Sequence, residues 1–165
     1  MSVTIRPARA SDLDFIVDNN AQLARETENK SLDVAKLRPG VTSLLASPDK
    51  GRYFIAELDG KPAGQIMFTK EWSDWRNGFF WWIQSVYVVA AARRNGVFTA
   101  LFRHVEQLAR DDASVCGLRL YVDHANQSAQ QTYRRLGLDA TEYSIMELEF
   151  TARGMHQETA NAQAR

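Results

Sequence analysis

Residues 86–109 read VYVVAAARRNGVFTALFRHVEQLA. A β-branched strand runs into a basic turn with a single glycine, Arg93-Arg94-Asn95-Gly96, and from there straight into an amphipathic helix. Val97, Leu101, Val105 and Leu108 fall on one stripe of that helix, while His104, Glu106 and Arg110 lie outside it and are expected to face solvent. The amides of a first helical turn have no partner within the helix, and the helix dipole favours negative charge beside them. A strand that enters such a turn can cradle an anion, so the ligand expected here carries phosphate.

The elements around this stretch follow from periodicity. Val3, Ile5 and Pro7 alternate with polar residues as a first strand. Ser11 is placed to cap a helix carrying Leu13, Ile16, Val17 and Asn20, expected to run to about Arg25. The polar run of residues 26–31 reads as a loop. Asp33 then caps a second helix with Val34, Leu37, Val41, Leu44 and Leu45, which Pro39 should kink or split. Residues 53–58 and 62–71 read as strands joined by the hairpin turn Asp59-Gly60, with Gly64 marking a bulge or a close backbone approach. Residues 72–78, with Trp72 and Trp75, read as a connector serving either as a lid over a cleft or as a plug on the sheet. Residues 79–89 form a nearly continuous apolar strand, as expected of a central strand covered on both faces.

After the cradle, residues 118–122 read as strand, 127–136 as helix with Gly137 at its left-handed end, and 143–150 as a half-exposed last strand. Residues 151–165 carry no core pattern and read as a polar tail behind a single domain of residues 1–150. The order β-α-α-β-β-β-α-β-α-β implies an α/β protein of the α+β kind, a mixed sheet with helices on its faces.

Lys plus Arg equal Asp plus Glu at twenty each, so no global field favours nucleic acid or an anionic membrane. The one cysteine, Cys116, forms no internal disulfide and reads as inert core packing. No apolar run reaches the length of a membrane span, and the first residues lack the apolar core of a signal peptide, so a cytoplasmic location is expected.

The turn RRNGVF after VYV, followed some thirty residues later by NQSAQQTYRRLGL, resembles the GNAT superfamily of acetyl-CoA-dependent N-acetyltransferases. Arg93 and Gly96 match its first motif, with Phe98 where a small residue is usual. Asn126, Tyr133, Gly137 and Leu138 match its second, and seven residues place Asn126 and Tyr133 on one helical face. The resemblance spans Val3 to Phe150. It implies a mixed, largely antiparallel sheet of six to seven strands flanked by about four helices.

It also implies site residues. Val86, Tyr87 and Val88 would pair with the pantetheine arm, and the turn of Arg93, Arg94, Asn95, Gly96, Val97, Phe98 and Thr99 would hold the pyrophosphate of acetyl-CoA. Asn126 would bond the pantetheine arm as well as cap its helix, and Tyr133 would protonate the leaving thiolate as general acid, the amine attacking the acetyl carbon directly. No metal is implied. Relatives commonly carry an acid on the central strand, yet residues 79–88 have none, and Trp82 and Gln84 fill that region. Glu26, Glu28 and Asp74, in the polar loops that flank the acceptor cleft in this family, are the candidates for a base, although each also reads as a solvated surface carboxylate.

Indole faces and carboxylates both attract ammonium groups, so Glu26 and Glu28 with Trp72, Trp75, Trp81 and Trp82 would suit a cationic or partly apolar amine. At least two of the tryptophans read equally as structural. Trp72, Trp75, Trp82 and Gln84 are the acceptor-contacting candidates. The expected acceptor is a small amine or an amino-acid-like molecule. A protein lysine or N-terminal amine is the alternative, as is a non-catalytic acyl-CoA sensor. Dimers are frequent among similar proteins, and a homodimer stays open.

Overall fold

Asp59 and Gly60 both have positive φ, 51° and 78°, the left-handed pair that a two-residue hairpin turn needs. They join β2 (Gly51–Leu58) to β3 (Lys61–Ser73), and the sheet grows on either side. β1 (Val3–Pro7) pairs antiparallel with β2, β4 (Gly78–Val88) antiparallel with β3, and β5 (Val115–Leu120) parallel with β4. This computed structural model describes residues 2–150. The chain divides into two units, Met1–Tyr121 and Val122–Arg165. The first holds the sheet, in order β1-β2-β3-β4-β5, with α1 (Leu13–Glu28), α2 (Val34–Leu45) and α3 (Val97–Asp111). The second holds α4 (Gln127–Arg135).

The mixed α/β class and the four helices agree with the sequence reading, but the sheet has five strands among the described residues, not six to seven. The missing element is the expected last strand. Residues 143–150 make no ladder, and Tyr143, Ile145, Met146, Leu148 and Phe150 are all exposed. Alternation gives strand propensity, but a strand forms only where a partner edge takes its amides. The expected tail, residues 151–165, lies outside the described residues.

Strand register assigns the two faces. Phe54, Ile66, Phe68 and Trp81 share one: Phe68 stacks on Trp81 at 3.9 Å and 5°, and Phe54 meets His104 of α3 edge-on at 4.9 Å. Leu101, Phe102 and Val105 of α3 are buried, and burial of side chains this size stabilises by about 1.5–3 kcal/mol each. Tyr53, Ile55 and Met67 share the other face, clustered with Ile16 and Val17 of α1 and Val41 of α2. By the same alternation Gln65, Thr69, Glu71, Trp82 and Gln84 face the α1 side.

Several local expectations shift. α1 runs past Arg25 to Glu28 and stops at Asn29, whose φ of 51° is the left-handed cap, so Glu26 and Glu28 are helical rather than in a loop. A short 3-10 turn, Ala10–Asp12, precedes α1, and Asp12 rather than Ser11 is its cap residue. Asp12 is instead engaged by Arg6 at 2.8 Å, which holds its carboxyl below the usual range. Pro39 does not split α2, which stays one helix with Asp33 capping through Ala35 N–H. β5 begins three residues before its expected start, and Cys116 on it is exposed rather than in the core, because β5 is the sheet's last strand. His104 is half-buried against Phe54, and burial lowers its pKa. The connector of residues 72–78 shrinks to one 3-10 turn, Asp74–Arg76, with Asn77 left-handed before β4. At Gly64 both expectations hold. A Cβ there would lie 2.9 Å from the Tyr87 carbonyl oxygen and 3.0 Å from Val97, and the register slips beside it.

Candidate functional site

β4 has two halves. From Phe79↔Val115 to Ile83↔Leu120 it pairs with β5, while its pairing with β3 continues as far as Gly64↔Val88. Over residues 84–88 the backbone groups that point away from β3 therefore have no strand partner among the described residues. At the same place β4 carries one extra residue: Gln65 pairs with Tyr87 and Met67 with Gln84, so Ser85 and Val86 together oppose Ile66. Ser85 takes a φ of 49°, uncommon for a residue with a side chain.

The open half leads to the basic turn. Arg94 (φ 66°) and Gly96 (φ 75°) are both left-handed, and Gly96 is the cap of α3. The helical ladder of α3 opens with the bond from Ala100 N–H to the Gly96 carbonyl at 2.9 Å. A Cβ on Gly96 would meet nothing within 4 Å, so space beside the turn is open. A cavity of about 250 Å³ lies there, lined by Val88, Arg93, Arg94, Gly96, Phe98 and Thr99 among others. Phe98 is half-buried and tilts towards Phe102 at 6.3 Å. The turn that the sequence singled out is thus a left-handed turn at the start of α3 beside an open cavity.

Arg93 points elsewhere than to that cavity alone. Its guanidinium donates to Glu26 Oε2 at 2.6 Å and, through Nε, to the Val88 carbonyl at 3.1 Å. The Tyr87 hydroxyl donates to Glu26 Oε1 at 2.7 Å. The Tyr87 and Arg93 hydrogen bonds hold the Glu26 carboxyl below its usual range, while burial and the neighbouring carboxylate push the Tyr87 phenol up. Glu26 is thus a weakly basic carboxylate tied to the open half of β4.

The floor of the sheet on the α1 side is polar and aromatic. The Gln84 amide donates to Thr69 Oγ1 at 2.7 Å, and the Trp82 indole N–H donates to Glu71, which also accepts from Arg119 at 2.6 Å. Arg119 lies 3.7 Å over the Phe80 ring, and Trp82 stacks on Tyr121 at 4.4 Å. Trp82 and Gln84 are therefore brought together, with Glu71, Arg119 and Tyr121 as neighbours that sequence reasoning did not name.

Trp72, Trp75 and Asp74 are not brought there. Trp72 faces the α3 side, edge-on to Phe79 at 4.9 Å. Trp75 is 87% exposed and Trp72 53%, so neither plugs the sheet. Asp74 accepts from the Trp75 and Asn77 amides within its own turn. From there to Val88 is the whole of β4, roughly 30 Å at the usual strand rise. Glu28 pairs with Lys30 on the surface at 2.6 Å.

In the second unit, Asn126 caps α4, its side chain accepting from Ala129 N–H at 3.0 Å. Tyr133 lies seven residues on, about two turns, and burial raises its pKa. The helix closes with Gly137 (φ 96°): its N–H reaches the Arg134 carbonyl, and that of Leu138 the Tyr133 carbonyl. This is the paired closure expected of a left-handed glycine past a helix end.

Known proteins bear on this arrangement. A model of the Acetyltransferase (GNAT) family matches residues 20–138. Among solved structures, a possible acetyltransferase from Clostridium difficile 630 is 43% identical, over 92% of this chain and 100% of that one, with a TM-score of 0.86. A GCN5-related N-acetyltransferase from Ralstonia eutropha JMP134 is 19% identical, over 89% of this chain and 99% of that one, at 0.71. A ribosomal-protein-alanine N-acetyltransferase from Brucella melitensis biovar Abortus 2308 is likewise 19% identical, over 91% and 100%, at 0.71. The last two show likeness of fold alone. No curated protein matches significantly.

Proposed function

Since the chain belongs to the GNAT acetyltransferase family, we propose that it is an acetyl-CoA-dependent N-acetyltransferase acting on a small or amino-acid-like amine. The observation that carries this reading is the open half of β4, which parts from β5 after Ile83 and leads to the turn before α3. An extended amide-bearing arm suits an unpaired strand edge, and a pyrophosphate suits the amides of a helix start. Acetyl-CoA, when bound, supplies the acetyl thioester.

The chain's own residues divide the work. The backbone of Val86, Tyr87 and Val88 holds the arm, and the amides from Arg94 to Thr99 hold the pyrophosphate, with the Arg93 and Arg94 charges beside them. Asn126 orients the arm. Tyr133, like any phenol, holds its hydroxyl proton at neutral pH, burial shifting its pKa further up, and gives that proton to the departing sulfur. Glu26 does not serve as base in this reading, since Tyr87 and Arg93 already stabilise its ionised form. Water reaching the incoming amine takes the proton. Trp82, Gln84, Glu71 and Arg119 form the acceptor floor. A carboxylate beside an indole face favours a cationic amine, and the adjacent guanidinium suits an acceptor that also bears an acid group.

The test is turnover of acetyl-CoA on a panel of amines, amino acids and peptides, followed by release of free thiol. Tyr133→Phe is expected to lower kcat by about 10²-fold or more with coenzyme A affinity nearly unchanged. Wild-type rates in that variant remove the general-acid role. Coenzyme A binding without turnover on any acceptor favours a sensor.

A further inference from the structure

Three buried carboxamides meet behind the bulge of β4. Gln65, Asn19 and Asn20 are 0%, 5% and 6% exposed. Gln65 accepts from Asn19 Nδ2 at 3.1 Å and donates to Asn20 Oδ1 at 2.8 Å and to the Ser85 carbonyl at 3.2 Å. Asn20 in turn donates to the Tyr53 hydroxyl at 3.1 Å. Burying amides is costly unless they are satisfied, and apolar side chains would fill this core at less risk. The network's one exit to strand backbone is the carbonyl of Ser85, the residue held left-handed at the bulge.

The bulge has two consequences. It lies just past Ile83, the last residue paired with β5. It also turns Tyr87 to the same face as Gln65, where the hydroxyl reaches Glu26. α1 therefore grips the open half of β4 at two points: through Gln65 at Ser85, and through Glu26, Tyr87 and Arg93 at Val88. The spans agree. Six or seven helical residues from Asn19 and Asn20 to Glu26 cover about 10 Å, and three strand residues from Ser85 to Val88 cover about 10 Å.

We propose that Gln65, held by Asn19 and Asn20, is a positioning residue that keeps Ser85 in its left-handed bulge and so sets the β4 edge on which the pantetheine arm is bound. The proposal rests on the coenzyme A reading above. Its logic makes a specific demand. A glycine at position 85 adopts the bulge conformation without help, so it should dispense with Gln65.

Calorimetric titration with coenzyme A, alongside thermal unfolding, tests this on wild type, Gln65→Leu, Ser85→Gly and the double variant. Gln65→Leu is expected to weaken binding about tenfold, Ser85→Gly alone to change it less than about twofold, and the double variant to recover to within about threefold of wild type. Thermal stability lost with the buried amides is not recovered by the glycine. If Gln65→Leu does not fold, Asn19→Ser, which removes one donor to Gln65, should show a smaller loss that Ser85→Gly again recovers. Wild-type affinity in a folded Gln65→Leu or Asn19→Ser variant overturns the proposal, as does failure of the glycine to restore a lost affinity. A wild-type chain that does not bind coenzyme A overturns the reading beneath it, and the proposal with it.

Discussion

The two halves of β4 differ in what holds them. From Phe79 to Ile83 the strand has a partner on each edge and an aromatic stack on one face, so backbone bonding and packing maintain it. From Gln84 to Val88 one edge has no strand partner among the described residues, the strand is bulged, and side chains of β3, α1 and the turn after β4 do the holding. One strand thus contains a doubly paired half and an open half, and the second is held by side-chain contacts to its backbone. The difference teaches that an unpaired edge inside a sheet is maintained rather than merely left over.

The sharpest break of this comparison is in the doubly paired half. Phe68→Ala removes the ring stacked on Trp81 from a nearly sealed site and should cost about 3–5 kcal/mol by chemical denaturation. Coenzyme A affinity of the folded fraction should stay close to wild type. A tenfold loss of affinity would mean that the two halves are not separable.

At the turn beyond the open half the pattern should invert. Gly96→Glu puts a carboxylate into the space beside the turn and should weaken coenzyme A binding by about tenfold or more through like charge. The positive φ alone should cost roughly 1 kcal/mol of stability. Gly96→Ala, sharing only the second effect, separates the two in the same titration.

The smallest effect is one of pH. Glu26 has its pKa depressed in the fold by Tyr87 and Arg93, so its contribution is present above the ordinary carboxylate value of 4.5 and is lost as pH falls through the lower folded value. Amide protection at residues 86–88 should therefore decline below about pH 4.5 relative to residues 80–83. Glu26→Gln should abolish that pH dependence. Parallel loss in both halves would assign the acid sensitivity to global unfolding.

Much of this was legible from the chain alone. The Asp59-Gly60 hairpin, the amphipathic α3 and the left-handed Gly96 before it rest on local rules of φ and periodicity, and local rules can be read residue by residue. The misreadings share one cause. The end of α1 depended on a left-handed Asn29, and the intact α2 shows that one lost bond at Pro39 was outweighed by packing of its neighbours. Residues 143–150 alternate as a strand should, yet alternation does not supply a partner edge. Asn20 already fell on the apolar stripe of α1, a polar residue where burial was expected. That polar residue is the sequence signal for the buried network, but its partner Gln65 lies forty-five positions away, beyond the reach of any local pattern.

By itself, then, the sequence determined the class of fold, the family and the turn that opens α3, because each follows from short-range patterns. Tertiary structure alone decided which carboxylate is committed to Arg93, which tryptophan faces the α1 side, and where β4 parts from β5. Those depend on register and on contacts between residues distant in the chain, where a shift of one position exchanges the two faces of a strand.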